Sequence, residues 1–480
     1  MNYQIYIENL GAIEKADLTI SPLTIIAGEN GTGKSFVTKF LYAVLNVLIS
    51  DIYHDEVIET IYKLEKNIEL FTNNEEFKES SLDLNEITKL NYFLNSLKND
   101  LENLNVPYGL FDFRTIFDLE EIKNSYFVNS EITFKNDALN SENFSERYML
   151  SISEVSNRVY KTLKSNIAKL LFLIKDPQIA YEAILHSKLA NEIKENFQVS
   201  ELNQLVNANY EVARFEIKDL INIIFSKTNQ LTTSLNFERY QELLILSRII
   251  FFESPVYWKA LSIIDNNNIT KRRFLSNRIN DVALTGIPKH FIDLKELLFT
   301  NFKDGERPNF IVEVADDLAR HLKGKFHANN NDLTFENDKG QTIPKSLVSF
   351  GMTNLGILQA VLSKNIINVG SFIFIDEPES NLHPAWQNIL AETLVKLAEN
   401  GVFVVITTHS TDMLKAFDII TQEKQKANDT KIKHDFLSTY YFQNDGLLLE
   451  TSNSELSPIE QARQKLLEPY DNMMVRGYLL

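Results

Sequence analysis

The sequence contains no cysteine. That excludes disulfides, zinc–thiolate sites, iron–sulfur clusters and cysteine nucleophiles. It also lacks any run of about 18 apolar residues, so no membrane span and no membrane partner are expected. The opening "MNYQIYIENLGAIEKADL" has no basic region followed by an apolar one, so a signal peptide is not expected, and a cytoplasmic location is the default. Positive charge is in short supply: 48 Lys and Arg stand against 65 Asp and Glu, a net −17. An acidic whole does not draw nucleic acid through its overall field. A local basic face could still do so. The densest one, "TKRRFLSNR" (Lys271, Arg272, Arg273, Arg278), reads as a solvated helix face or as a contact that leaves nucleic acid open as a partner. No internal repeat and no long low-complexity linker interrupts the chain. Its 480 residues, 44% hydrophobic and 24% charged, suit a globular protein of two or three domains.

What the sequence does contain is "IIAGENGTGKSFVTKFLYAVL", residues 25–45. Its middle, Gly28-Glu29-Asn30-Gly31-Thr32-Gly33-Lys34-Ser35, has the G-x-x-x-x-G-K-[ST] spacing of a phosphate-cradling loop. The preceding "LTIIAG" is short, apolar and β-branched, hence a buried strand. After it, Phe36, Phe40, Leu41, Val44, Leu45 and Leu48 recur at helical spacing. Strand, loop, helix is the order a nucleotide site needs. Glycines let backbone N–H groups close around phosphate oxygens, and the helix N-terminus adds positive potential. Gly28, Asn30, Gly31, Thr32, Gly33, Lys34 and Ser35 are therefore the expected ATP-binding set. Lys34 reaches the β- and γ-phosphates, and Ser35 ligates Mg²⁺.

Three further segments fit the same chemistry. In "GSFIFIDEPESNLHPAWQNIL" an apolar run, Phe372 to Ile375, delivers Asp376 and Glu377 at a strand tip. Asp376 suits the Mg²⁺ shell, directly or through water, and Glu377 suits orienting or deprotonating the attacking water. In "GVFVVITTHSTDML" a second buried-strand run ends in Thr407-Thr408-His409-Ser410, which places His409 to hydrogen-bond a phosphate oxygen or the water. In "LVSFGMTNLGILQAVL", Ser349 and Gly351 open a helix, either as a plain serine N-cap or as an anion site.

Together these four segments resemble the ABC-type P-loop ATPases, specifically the SMC/RecF/OLD-like branch. "YIENLGAIEKADLTISPLTIIAGENGTGKS" is similar to that branch's opening hairpin and Walker A loop. Ser349-Phe350-Gly351-Met352 resembles the signature motif, with Phe350 where a small residue is common. Asp376-Glu377 resembles Walker B with its catalytic glutamate, "PESNLHP" the D-loop, and His409 the switch histidine. "RIIFFESPVYWKAL" resembles a strand and turn before the second lobe, which implies that Glu253, Ser254 and Pro255 lie near the site; no Q-loop glutamine is assigned. The resemblance covers residues 1–45 and 340–415 and implies an α/β fold: an ABC-type head, a mixed sheet with flanking helices, carrying a helical insertion. It also implies Mg²⁺-dependent ATP hydrolysis, and a homodimer or a higher homo-oligomer of dimers in which Ser349 and Gly351 of one copy complete the nucleotide site of another.

A large insertion separates Lys34 from Asp376. Residues 55–105 read as helices, with Val57, Ile58, Ile61, Leu64 and Ile68 on one face. Residues 111–136 read as an antiparallel sheet. Ile152, Val155, Val159, Leu163, Ile167, Leu170 and Ile174 step along a helix up to Pro177, and further helices are expected to about residue 227. Residues 329–342 read as loops around short strands. The expected division is an ATPase lobe at 1–140, a helical insertion at 141–245 and a second lobe at 246–480.

The last 70 or so residues show no H-x-H, HNH-like or clustered-carboxylate pattern, so the expected protein is an ATPase without its own effector. By resemblance, such an ATPase is a regulatory or sensor subunit of a prokaryotic anti-phage defence complex, working beside a separately encoded nuclease or toxin. The alternatives are a RecF-like ATPase acting on DNA ends or junctions and, least favoured, a transporter's nucleotide-binding subunit.

Overall fold

The computed structural model describes residues 3–72, parts of 91–98 and 162–173, 177–240, 243, 246–253, 256–259, 284–300, 307–329, 332–427, 435–450 and 456–478. The chain divides into two compact units, residues 1–47 with 189–480, and residues 48–188.

Two five-stranded sheets organise the first unit. One is antiparallel, in the order β2 (Ile13–Ile20), β1 (Tyr3–Leu10), β4 (Val212–Ile217), β5 (Ile221–Ser226), β6 (Leu231–Leu235). The other is parallel, in the order β13 (Leu437–Phe442), β3 (Leu23–Gly28), β12 (Phe403–Thr408), β11 (Phe372–Asp376), β7 (Ile249–Phe252). A small third sheet joins β8 (Gly324–Asn329), β9 (Asp332–Asn337) and β10 (Thr342–Pro344), the short strands expected around 329–342. The longer helices of this unit are α1 (Lys34–Ile49), α4 (Lys289–Phe299), α5 (Asn309–Leu322), α6 (Phe350–Ser363), α7 (Pro384–Glu399), α8 (Thr411–Lys426) and α9 (Pro458–Tyr478).

The residue types explain the two sheets. In β3 every residue is buried, as a parallel strand covered on both faces requires. Side chains alternate between those faces. Ile25, Ile373, Ile375, Val404 and Ile406 join the core formed with Ile311 and Val314 of α5 and Leu355 and Leu358 of α6. On the opposite face Phe372 stacks on Phe403 at 4.6 Å and Phe374 on Phe251 at 5.9 Å. Helix α1 is apolar on both sides because it meets both sheets. Phe40 packs on Phe215 of β4 at 4.6 Å, while Tyr42 meets Phe251 at 5.6 Å. Each fully buried side chain of this kind contributes about 1.5–3 kcal/mol.

In the second unit, α2 (Ile52–Thr72) buries Val57, Ile61, Leu64 and Ile68 along one face, with Ile58 at its margin. Tyr53 donates a 2.7 Å hydrogen bond to the Leu173 carbonyl. Helix α3 (Pro177–Phe197) begins at the proline that was expected to end the preceding helix. The sheet expected at 111–136, most of the helix at 152–174 and the basic stretch at 271–278 lie outside the described residues.

One expectation is corrected. The helices do not run to residue 227: after Phe197 comes only one short turn, and residues 212–235 are the three strands β4–β6. "VARFEI" and "INIIFS" alternate buried and less buried positions, a period of two rather than 3.6, and β4 completes its pairing on β1.

Candidate nucleotide site

The parallel register brings the strand tips together. Asp376 faces Thr407, Thr408 faces Ala27, and Phe442 faces Gly28. In open α/β sheets this C-terminal edge is where ligands bind.

Helix α1 begins at Lys34, directly after the loop. Gly28, Gly31 and Gly33 all hold positive φ. At Gly33, with φ +101, a Cβ would also lie 2.6 Å from Ile13 Cγ1, so the turn accepts no side chain. Lys34 is only 4% exposed and folds back along the loop, its Nζ donating to the carbonyls of Gly28 at 2.8 Å and Glu29 at 2.6 Å. Burial pulls its ammonium down, against the raising pull of Glu377, Asp376, Glu379 and Glu29. Thr32 donates to the Glu29 carbonyl at 2.9 Å and steadies the loop, while Asn30 and Gly31 stand exposed at its tip.

Asp376 ends β11, and Ser35 Oγ lies 2.9 Å from each of its carboxylate oxygens. Thr407 Oγ1 donates to Asp376 Oδ1 as well. Burial pushes the Asp376 carboxyl up, while the hydrogen bonds from Thr407 and Ser35 and the charge of Lys39 hold it down.

Glu377 has φ +49, a left-handed conformation rare outside glycine and asparagine. Such a residue costs about 1–3 kcal/mol unless its surroundings hold it. Here its N–H donates to the carbonyl of Thr407 at 3.1 Å and to the Thr407 hydroxyl at 3.2 Å. The turn aims the carboxylate at His409, whose Nδ1 lies 3.4 Å from Glu377 Oε1. Both side chains are partly open to solvent, at 43% and 37% exposure, as groups that must meet a substrate need to be.

The structure thus joins Lys34, Ser35, Asp376, Glu377 and His409 in one place. Ser349 and Gly351 are not joined to the loop of their own chain by any hydrogen bond among the described residues. Ser349 caps α6, accepting from the Met352 N–H at 3.2 Å, and is exposed beside Phe350. Gly351 is buried against the D-loop segment, where a Cβ would lie 2.5 Å from the Asn381 carbonyl oxygen.

Sequence reasoning assigned no role to three groups at this site. Thr407 bridges Asp376 and Glu377. Glu379 accepts from Thr408 Oγ1 at 2.8 Å and from the His409 N–H at 2.9 Å. Lys39, one helical turn beyond Ser35, pairs with Glu253 at 2.6 Å. The cue for Lys39 was the i,i+4 spacing from Ser35, which puts both on one helix face. Glu253 does lie beside the site, sharing a small pocket with Asp376 and Asn354; Ser254 and Pro255 lie outside the described residues. His290 sets the other side of Glu253. Its Nε2 is 2.8 Å from Glu253 Oε2 and its Nδ1 2.9 Å from Asn196 Oδ1, so both ring nitrogens face acceptors. Asn196 cannot present its amide instead, because that group donates to Glu192. Burial outweighs the hydrogen bond and charge of Glu253 and pulls the His290 imidazole below its ordinary range.

The chain is similar to several known proteins. A family model described as "AAA ATPase domain" matches residues 1–414. The Old nuclease of Escherichia phage P2 is 34% identical over 92 residues, a match covering 17% of this chain and 16% of that protein. Among solved structures, an SMC head bound to the C-winged helix domain of ScpA aligns over 95% of this chain and 98% of its own, at 11% identity and a TM-score of 0.38. The SMC head domain from Thermotoga maritima aligns over 94% and 99%, at 10% identity and 0.31. An ATP-binding cassette of an ABC transporter in its ADP conformation aligns over 98% of each chain, at 12% and 0.31. Likenesses this weak decide nothing further. The family match spans most of the chain and contains all four site segments, and on that ground the chain belongs to the AAA ATPase domain family and is a P-loop ATP-hydrolysing enzyme.

Proposed function

We propose that this ATPase is the regulatory or sensor subunit of a prokaryotic anti-phage defence complex, in which ATP-dependent pairing of two copies controls a separately encoded effector. The observation that carries the ATPase reading is the convergence of Ser35, Asp376, Glu377 and His409 at one sheet edge. The defence reading rests on the sequence resemblance and on the local match to a phage-encoded nuclease.

In this reading the N–H groups of the loop and the first turn of α1 hold the phosphates, and Lys34 leaves its two carbonyls to contact the β- and γ-phosphate oxygens. Glu377 accepts a proton from the attacking water. His409 donates to a γ-phosphate oxygen. Ser35 and Asp376 offer a hydroxyl and a carboxylate, the hard oxygen donors that suit Mg²⁺. Among the described residues no cluster of three His, Cys, Asp or Glu could hold a metal alone, which fits an ion that takes its remaining ligands from phosphate and water. Bound there, Mg²⁺ neutralises charge on the β- and γ-phosphates.

The signature helix supports pairing. Ser349 and Phe350 are exposed at its N-terminus, and Leu347 beside them is 77% exposed. A second copy would cover this apolar edge and bring Ser349 and Gly351 to its own loop, in the isologous geometry commonest for homodimers. The test mixes two inactive variants, Lys34→Ala and Ser349→Arg. Shared sites restore part of the ATPase activity, because a mixed pair carries one intact site. Mixed pairs that form without activity contradict shared sites. Affinity purification from native cells, with identification of the bound protein, tests the effector.

A further inference from the structure

We infer that Lys259 is a positioning residue that fixes the turn presenting Ser349 to the nucleotide of a second copy. This rests on the reading that Ser349 completes the partner's site. Phe350 stands where the resembled motif commonly has a small residue, and its ring has a use here. Lys259 Nζ lies 5.4 Å from the ring centroid, within the range of a cation–π contact. The same Nζ donates to the Lys345 carbonyl at 2.5 Å and to the Val348 carbonyl. One ammonium therefore grips the chain on both sides of Ser349, through two carbonyls before it and an aromatic ring after it.

The mount of this lysine is firm. It ends the short helix Val256–Lys259, and the preceding Trp258 is buried and packs edge-on against Phe291 of α4 at 4.9 Å. The turn it holds is short: a single 3-10 turn, Lys345–Leu347, then Val348, then Ser349 as the N-cap of α6. Lys345 ties the start of that turn to Asp332 of β9 at 2.6 Å. Val348 is buried, but Leu347, Ser349 and Phe350 are exposed, so core packing does little to aim Ser349. Burial pulls the Lys259 ammonium down, and no carboxylate among the described residues offsets this. A lysine placed for an ion pair would have an acid beside it. This one has only the turn and the ring. A small residue at 350 would offer the ammonium no aromatic face, and an apolar residue at 259 would leave the Val348 carbonyl without this donor.

The experiment uses the full chain with Lys259→Met, which keeps the apolar stem, and Lys259→Arg, which keeps a cation with donors. Amide exchange read by mass spectrometry over residues 345–353, without nucleotide, reports on the turn itself. Exchange there rises about fivefold or more in Lys259→Met and stays near wild type in Lys259→Arg. Unchanged exchange in Lys259→Met overturns the proposal. Turnover reads the consequence. Lys259→Met lowers kcat about tenfold or more with calorimetric ATP affinity within about twofold, and Lys259→Arg recovers most of the loss. Faster exchange with kcat unchanged also overturns the proposal. Mixing variants assigns the lysine to its half of the shared site. Lys259→Met regains activity with Lys34→Ala but not with Ser349→Arg, because those two lesions fall on the same half. Recovery with Ser349→Arg overturns the proposal. If Lys34→Ala and Ser349→Arg themselves restore nothing, the shared site beneath it fails, while the exchange measurement still decides whether Lys259 holds the turn. Thermal unfolding within a few degrees of wild type shows that Lys259→Met is folded.

Discussion

Ser35 Oγ lies 2.9 Å from both carboxylate oxygens of Asp376, across a separation of 341 residues. The hydroxyl belongs to the first turn of α1 and the carboxylate to the tip of β11. Neither element is adjacent to the other in the sheet, since β12 stands between β3 and β11. The hydroxyl meets the carboxylate through the pairing of β3 with β12 and of β12 with β11.

Lys34 is the first test of the site. Its buried ammonium holds two loop carbonyls and is poised for phosphate. Lys34→Ala should weaken ATP binding by about 1.5–3 kcal/mol, the scale of a hydrogen bond to a charged group. That is roughly 10- to 150-fold, read by titration calorimetry. Unchanged affinity contradicts the assignment of the loop.

Asp376→Asn keeps the shape of the side chain and one acceptor for Ser35 and Thr407, but removes the charge. The Mg²⁺ concentration for half-maximal turnover should rise by about tenfold or more, while ATP binding without metal holds or improves. A Mg²⁺ requirement equal to that of wild type removes Asp376 from the metal shell.

Glu253 links pH to stability. Burial pushes its carboxyl up, but the hydrogen bond and charge of His290 and the charge of Lys39 outweigh burial and bring it down to about 2. The folded value lies below the unfolded one, so the stabilisation is fully present above about pH 4.5 and is lost as pH falls toward 2. In denaturant titrations Glu253→Gln should be less stable than wild type at pH 7, and the gap should narrow below about pH 4.5 and close only near pH 2. A gap that stays constant with pH shows that the carboxylate charge is not what stabilises.

The sequence carried the local parts of this site clearly. Strand, loop and helix around Gly28–Ser35 lie within one short stretch, and the apolar runs before Asp376 and His409 mark buried strands whose tips must be exposed. What was not legible depends on register between distant segments. Thr407 reads as a strand residue until β12 is laid beside β11 and its hydroxyl meets Asp376 and the Glu377 N–H. The Lys39–Glu253 pair, 214 residues apart, needs β7 at the sheet edge. The strands at 212–235 were masked by isoleucines and leucines that also fit a helix, and only pairing with β1 decides between the periods. The left-handed turn at Glu377 leaves no mark in composition at all.

The most direct measurement is ATP binding and turnover by Glu377→Gln, taken together. A positioned general base contributes about 10²–10⁴-fold. The predicted result is a kcat lowered by that factor, with ATP affinity within a few-fold of wild type in calorimetry. Turnover within twofold of wild type would contradict the account, because the residue held at the strand tip by Thr407 would then not be the one that activates water.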